Sequence, residues 1–298
     1  MLVIGTVFVD VKGFARERYM PEGRNVGDVQ LTAGGVCRNV AENFARMGVP
    51  VQFASMVDDN GMGCEVKEEL AAMGVDTTHV IPAKNGMGMW LAILDENGAL
   101  AGSISRQPDF DALEAYLRAN GDAIMAGTDA VVLEFDMSAG ISALVLELAQ
   151  KHGKPVYSIV GNMGIILQHP EYLHDVACFI CNEMEAGRLF REELSHVSPE
   201  AMLEALKRGS AVAGIPAMVV TMGEQGAVYV DNVTGEFGFC PPLDVEVVDT
   251  TGAGDAFFSA AVASLIQGEP LSQAVQAGTR LAAQTLQVQG SCAAQVGD

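Results

Sequence analysis

Near the C-terminal end of the chain stands Asp249-Thr250-Thr251-Gly252-Ala253-Gly254-Asp255-Ala256-Phe257-Phe258. A polar, glycine-punctuated turn runs into an apolar helix, and one carboxylate sits at the join. A helix start offers unpaired backbone N–H groups and the positive end of a dipole, so it attracts anions. Gly252 and Gly254 let the backbone approach a ligand with no side chain between. Asp255 stands within reach of an anion held there. An anion cradle beside a carboxylate supplies what phosphoryl transfer to a hydroxyl requires: charge stabilisation and a proton acceptor. The bland alternative is a capped core helix, since Asp and Gly are common at helix starts.

Three further constellations have polar residues or glycines at a strand end or helix start. Gly34-Gly35-Val36-Cys37-Arg38-Asn39-Val40-Ala41-Glu42-Asn43 enters a helix through a glycine pair, and Asn39 offers both a donor and an acceptor. Asn182-Glu183-Met184-Glu185 follows an apolar strand. Its Asn, with a carboxylate three residues on, fits a water-mediated Mg²⁺ and phosphate site, or simply an N-capped helix with an acidic first turn. Thr221-Met222-Gly223-Glu224-Gln225-Gly226 also follows a strand. A Thr hydroxyl and glycine amides suit phosphate oxygens, though an ordinary turn has the same composition. The chain has no Walker-type P-loop, no G-x-G-x-x-G and no G-x-S-x-G. Cys178 and Cys181 spell C-x-x-C, but on a strand positions i and i+3 face opposite ways, and there is no second pair.

Regular elements must position these groups. Val3–Val9 reads as a buried strand before Asp10, and residues 12–32 as a polar peripheral segment. A helix over Asn39–Met47, a strand over Val51–Met56 and a helix over Cys64–Met73 follow. Trp90–Leu94 and Leu100–Ser105 flank Asn97-Gly98, a strong hairpin signal, and imply a small accessory sheet paired with strands from 12–32. From about Asp109, helices and strands alternate to the end. That rhythm predicts an α/β fold, a mostly parallel sheet covered on both faces, with ligands at the carboxyl ends of its strands.

Composition narrows the partners. The chain has 298 residues and a net charge of −21, which disfavours nucleic acid and anionic membrane. No apolar run reaches the roughly 18 residues of a membrane span, and the start lacks the basic flank of a signal peptide. Six scattered cysteines fit a reducing cytoplasm rather than a disulfide framework.

In their order, the four constellations resemble the ribokinase family, the PfkB carbohydrate kinases, over nearly the whole chain. Asp10 and the segment Val57-Asp58-Asp59-Asn60-Gly61-Met62-Gly63 join the match. The resemblance implies one ribokinase-like domain over 1–298, a three-layer αβα sandwich, with a small β lid from about 11–32 and 84–106. It implies an ATP- and Mg²⁺-dependent phosphotransferase with Asp255 as base and Gly252, Ala253 and Gly254 as the anion hole. Asn182, Glu185, Thr221, Gly223 and Gly226 would serve the nucleotide, with Glu185 meeting Mg²⁺ through water. Asp10, Gly34, Gly35, Arg38, Asn39 and Glu134 would grip the acceptor. Asp249 and Thr251 match part of a monovalent-cation site, K⁺ in kind. In some members the lid also forms a homodimer interface.

The run from Gly35 to Asn43 most resembles the pseudouridine kinases of the family, with Arg38 adding a cation near the grip. Ribose, adenosine, fructose phosphate and ketodeoxygluconate are the alternative acceptors. Two departures motivate an alternative reading, a non-catalytic ligand binder on the same fold, against which the intact Asp255 argues. The strand ending Ser158-Ile159-Val160-Gly161-Asn162 lacks the acid relatives often carry there, a role left to Glu134 and Asp136. The sequence also stops soon after Gly290-Ser291, where relatives commonly continue.

Overall fold

In the computed structural model, residues 1–290 and Cys292 are described, so Ser291 and the chain beyond Cys292 lie outside the described residues. The strands are β1 (Leu2–Ile4), β2 (Phe8–Ala15), β3 (Gly27–Gly34), β4 (Gln52–Asp58), β5 (Val80–Ala83), β6 (Gly88–Leu94), β7 (Leu100–Arg106), β8 (Val131–Glu134), β9 (Val156–Ile159), β10 (Cys178–Asn182), β11 (Ala217–Thr221), β12 (Ala227–Asp231) and β13 (Phe237–Cys240). The helices are α1 (Val36–Arg46), α2 (Gly61–Ala72), α3 (Asp111–Ala126), α4 (Ala139–Lys151), α5 (Gly164–Gln168), α6 (Glu183–Phe190), α7 (Pro199–Val212), α8 (Ala253–Ile266) and α9 (Leu271–Thr285).

Nine strands form the main sheet in the order β13-β12-β11-β10-β9-β8-β1-β4-β5. The run from β5 to β11 is parallel, and β12 and β13 add an antiparallel edge. Alternate residues supply two cores: Leu2, Ile4 and Leu133 on one face, Val3, Val132 and Phe53 on the other. Both faces are therefore dry and helix-covered, which explains why these strands read as unbroken apolar runs. The same alternation separates Cys178 from Cys181, one in each core.

The chain builds outward from β1 to β4 and β5, then returns to lay β8 to β11 on the other side. The switch point thus lies at β1, and the crevice beyond the carboxyl ends of β1 and β8 is where such sheets bind ligands.

A second sheet, β3-β2-β6-β7, forms the lid. It corrects one sequence-based expectation. Val3–Val9 is two strands in two sheets, parted at Gly5-Thr6-Val7. The apolar run hid the break because Gly5, Thr6 and Val7 are all buried too. The lid is tied to the main sheet where Arg106 Nη2 meets Asp58 Oδ2 at 3.2 Å, while Asp58 Oδ1 accepts from Met87 N at 3.0 Å. In the same segment Asn60 caps α2, accepting from Met62 N and Gly63 N.

Candidate active site

The main sheet and the lid bound a cavity of about 380 Å³ at the switch point, lined by Asp10, Asn39, Glu134, Asp136, Asp255 and their neighbours. Each wall has a local cause.

Asp255 comes from the first turn of α8, whose N-cap, Gly252, is left-handed and offers no side-chain cap. Helical hydrogen bonding begins with Ala256 N donating to Gly252 O, so the preceding amides belong to the open helix start. Ala253 N makes only a long 3.4 Å bond to Thr250 O. Beyond Gly254 there is open space where a side chain would stand. Asp255 Oδ2 accepts from Asn39 Nδ2 at 2.7 Å. Burial pushes the Asp255 carboxyl up to about 7, with Asn39 pulling it down and the Glu134 charge pushing it up.

Asn39 sits on α1, which starts at Gly35. The backbone there has φ 108°, and a Cβ would run into Thr6 O and Phe8 N. Glycine is required to let the helix leave the lid strand so close to β1. Gly34, opposite Phe8 in the lid, leaves room for Asp10, whose Oδ2 would lie 3.4 Å from a Cβ at that position. Burial raises the Asp10 carboxyl, opposed by Lys12.

Glu134, at the end of β8, is 1 % exposed, and its oxygens are engaged by protein. Oε2 accepts from Thr6 N at 2.8 Å and Cys37 N at 3.3 Å, and Oε1 accepts from Thr6 Oγ1 at 2.8 Å. It stitches β1, β8 and α1 together across the switch point. Asp136 Oδ2 accepts from Gly161 N and from Asn162 N (2.8 Å), so an acid from the preceding strand fills the place left bare after Ser158. Burial, with the Glu134 charge second, pushes Asp136 up to about 8.

Arg38 is the residue the structure moves away from its expected place. It is 6 % exposed, does not line the cavity, and pairs with Glu42 at 2.7 Å on the inner side of α1. The i, i+4 spacing and the packing of α1 against α8 turn it inward.

The nucleotide candidates lie at the carboxyl ends of β10 and β11 and do not line this cavity. Asn182 and Glu185 form a full capping box: Glu185 N donates to Asn182 Oδ1 at 2.9 Å, and Asn182 N donates to Glu185 Oε2 at 2.8 Å. Burial raises Glu185. Thr221 Oγ1 donates to Cys181 O at 3.4 Å, and Gly223 faces open space. Gly226 serves the β11–β12 turn instead, since a Cβ there would collide with Cys240 O. Asp249 Oδ1 accepts from Thr251 N at 2.9 Å and Oδ2 from Gly290 N at 3.3 Å; these bonds hold its carboxyl below the usual range.

Thr6 and Gln107 line the cavity although no motif marks them. Thr6 had one signal, a polar residue just past a short apolar strand. Gln107 had none, because only the lid's fold brings the end of β7 over the crevice.

This crevice, sheet order and lid define a ribokinase-like kinase. The pfkB family carbohydrate kinase model matches residues 1–296, and the chain belongs to that family. It is 38% identical to a guanosine-inosine kinase of Exiguobacterium acetylicum over 95% of this chain and 93% of that protein. It is 27% identical to a pseudouridine kinase of Escherichia coli, covering 93% and 87%. The ribokinase of Arabidopsis thaliana, solved with ribose and ATP, superposes with a TM-score of 0.86 at 23% identity, covering 99% of this chain and 95% of that one. The protein is thus an ATP-dependent phosphotransferase with an alcohol acceptor.

Proposed function

We propose that the acceptor is an uncharged ribonucleoside, phosphorylated on its ribose hydroxymethyl group, with guanosine and inosine first and pseudouridine next. The observation that carries this is the cavity's lining of acids without a cation. It includes Asp10, Glu134, Asp136 and Asp255 and no Lys, Arg or His. Carboxyl groups, ionised or protonated, suit neutral hydroxyls and amides, and no cation among them offsets the charge of a phosphate or carboxylate, so fructose phosphates and ketodeoxygluconate fit poorly. Trp90, the single tryptophan, lies in register with Asp10 on the lid and shares its face. An aromatic surface beside the acceptor suits a nucleobase better than a bare sugar. The order of the nucleosides follows the two relatives, one at 38% and one at 27% identity.

The residues present fit a nucleoside triphosphate with Mg²⁺. The start of α8 and Gly223 offer amides over open space, and the acids nearby are oxygen donors of the kind Mg²⁺ prefers. When bound, ATP supplies the transferable phosphoryl group and Mg²⁺ offsets its charge. Asp255 takes the hydroxyl proton as the new O–P bond forms and the bond from the transferred phosphorus to ADP breaks, and the amides of Gly252, Ala253 and Gly254 hold the charge on the transferring group. A carboxyl near 7 is a far better base at neutral pH than an exposed one. Asp10 and Asn39 align the acceptor, and the lid excludes water. We assign Asp249 and Thr251 to a K⁺ site beside the anion hole. The six scattered cysteines suit a reducing, cytoplasmic location.

The test is a panel of guanosine, inosine, pseudouridine, adenosine, ribose, fructose 1-phosphate and ketodeoxygluconate with ATP and Mg²⁺. Turnover confined to the neutral nucleosides supports the reading; turnover of an anionic acceptor overturns it. Binding of a nucleoside without product would favour a non-catalytic binder. Asp255→Asn should keep nucleoside binding and lose at least about 10³-fold in kcat.

A further inference from the structure

We propose that Arg38 is a positioning residue for the reaction, acting on Asp255 through the amide of Asn39. The inference rests on Asp255 being the base. Asn39 stands between two groups of fixed hydrogen-bonding sense. Its Oδ1 accepts from Arg38 Nη1 at 3.2 Å, and its Nδ2 donates to Asp255 Oδ2 at 2.7 Å. A guanidinium only donates and an ionised carboxylate only accepts, so one amide orientation satisfies both. Turning the amide over would set N–H against guanidinium and oxygen against carboxylate.

Arg38 is itself held. Glu42 Oε2 pairs with its Nη1 at 2.7 Å, and Glu42 Oε1 pairs with Arg46 Nη2 at 2.7 Å. Arg38, Asn39 and Glu42 are 6, 7 and 4 % exposed. Stability does not account for this burial. Desolvating a guanidinium is costly, and among the described residues Arg38 Nε finds no partner. What the buried guanidinium does is hold one donor, Nη1, between Glu42 Oε2 and the oxygen of one amide.

The consequence falls on the charge of Asp255. The groups facing it are acidic or neutral: Glu134 from β8, Asp136 just beyond, Asp10 from the lid, and the Cys37 thiol, which burial keeps protonated. The lid cation Lys12 acts on Asp10 and Asp249. The N–H of Asn39 is the side-chain donor that favours the ionised, proton-accepting form. Arg38 keeps that donor aimed, although it never reaches the acceptor.

The experiment follows the titration of the Asp255 carboxyl carbon by ¹³C NMR, assigned by its loss in Asp255→Asn, together with the acid limb of the kcat/KM profile. Arg38→Met should move both upward by about 0.5–1 pH unit. Asn39→Ala should move them at least as far, and the double variant no further than Asn39→Ala alone. An unshifted titration in Arg38→Met, or additive shifts in the double variant, overturns the proposal. If Arg38→Met does not fold, Arg38→Lys keeps a charge for Glu42 but lacks the rigid fork. It should shift the titration the same way by less, and a wild-type titration there is equally fatal. Retained turnover in Asp255→Asn would instead defeat the base assignment, whatever the NMR shows.

Discussion

Asp136 carries a cost that makes the site's design measurable. Its folded-state pKa, about 8, lies far above the ordinary carboxylate value because burial and the neighbouring Glu134 oppose ionisation. Between those two values the folded chain holds a proton that the unfolded chain releases, so stability falls as pH rises through that window. Asp10, Glu134, Glu185 and Asp255 are shifted in the same direction, all chiefly by burial. Asp136→Asn keeps an oxygen for Gly161 N and Asn162 N but removes the titration. Its melting temperature should match wild type near pH 4 and exceed it by about 5 °C at pH 8. Parallel melting curves across that range would mean Asp136 is not the residue holding the proton. At this scale the sequence was informative about residue type and blind to orientation. Asp255, Asn39 and Asp10 converge as their motifs implied. Arg38 does not, because whether a helical arginine faces a ligand or a core depends on what packs against the helix.

Elements were legible where a period and a cap coincide. The strands expected over Val51–Met56, Trp90–Leu94 and Leu100–Ser105 fall within two residues of their observed bounds. What escaped were pieces without a period of their own: β5, four residues with a proline, and α5, a single turn and a half. Capping is where the structural and functional readings of one element can be separated. Asn182 closes a capping box that by itself explains both Asn182 and Glu185. Asn182→Ala should cost about 1 kcal/mol of stability on that account alone. If the pair also organises Mg²⁺ and phosphate, KM for ATP should rise about tenfold or more while KM for the nucleoside hardly moves. A loss of stability with both KM values unchanged would leave the box as a cap and nothing else.

At the scale of the whole molecule, the net charge of −21 and an acid-lined cavity mean that phosphate binding depends on local dipoles rather than the overall field. No helix among the described residues is long and apolar enough to cross a membrane. The lid raises a different question. In register, Leu31, Val11, Leu91 and Ile104 make one row across it, and Val29, Gly13, Ile93 and Gly102 the next. Asp10 lines the cavity, so these rows lie on the opposite face, which packs on the core at Val9 and Val11 and is open to solvent beyond. Leu31, Val29 and Ile104 are 56, 67 and 70 % exposed. A β-sheet bearing apolar rows on its outside and a ligand beneath is poorly suited to facing water alone. The homodimer expected from the sequence would cover it, lid on lid. Leu31→Glu with Ile104→Glu alters only exposed positions, so the fold should survive while sedimentation shifts from dimer to monomer. If the lid shields the acceptor as proposed, the monomer should lose acceptor affinity more than ATP affinity. A wild-type chain that sediments as a monomer at about 10 μM, well above a typical dimer's dissociation constant, would refute the lid dimer.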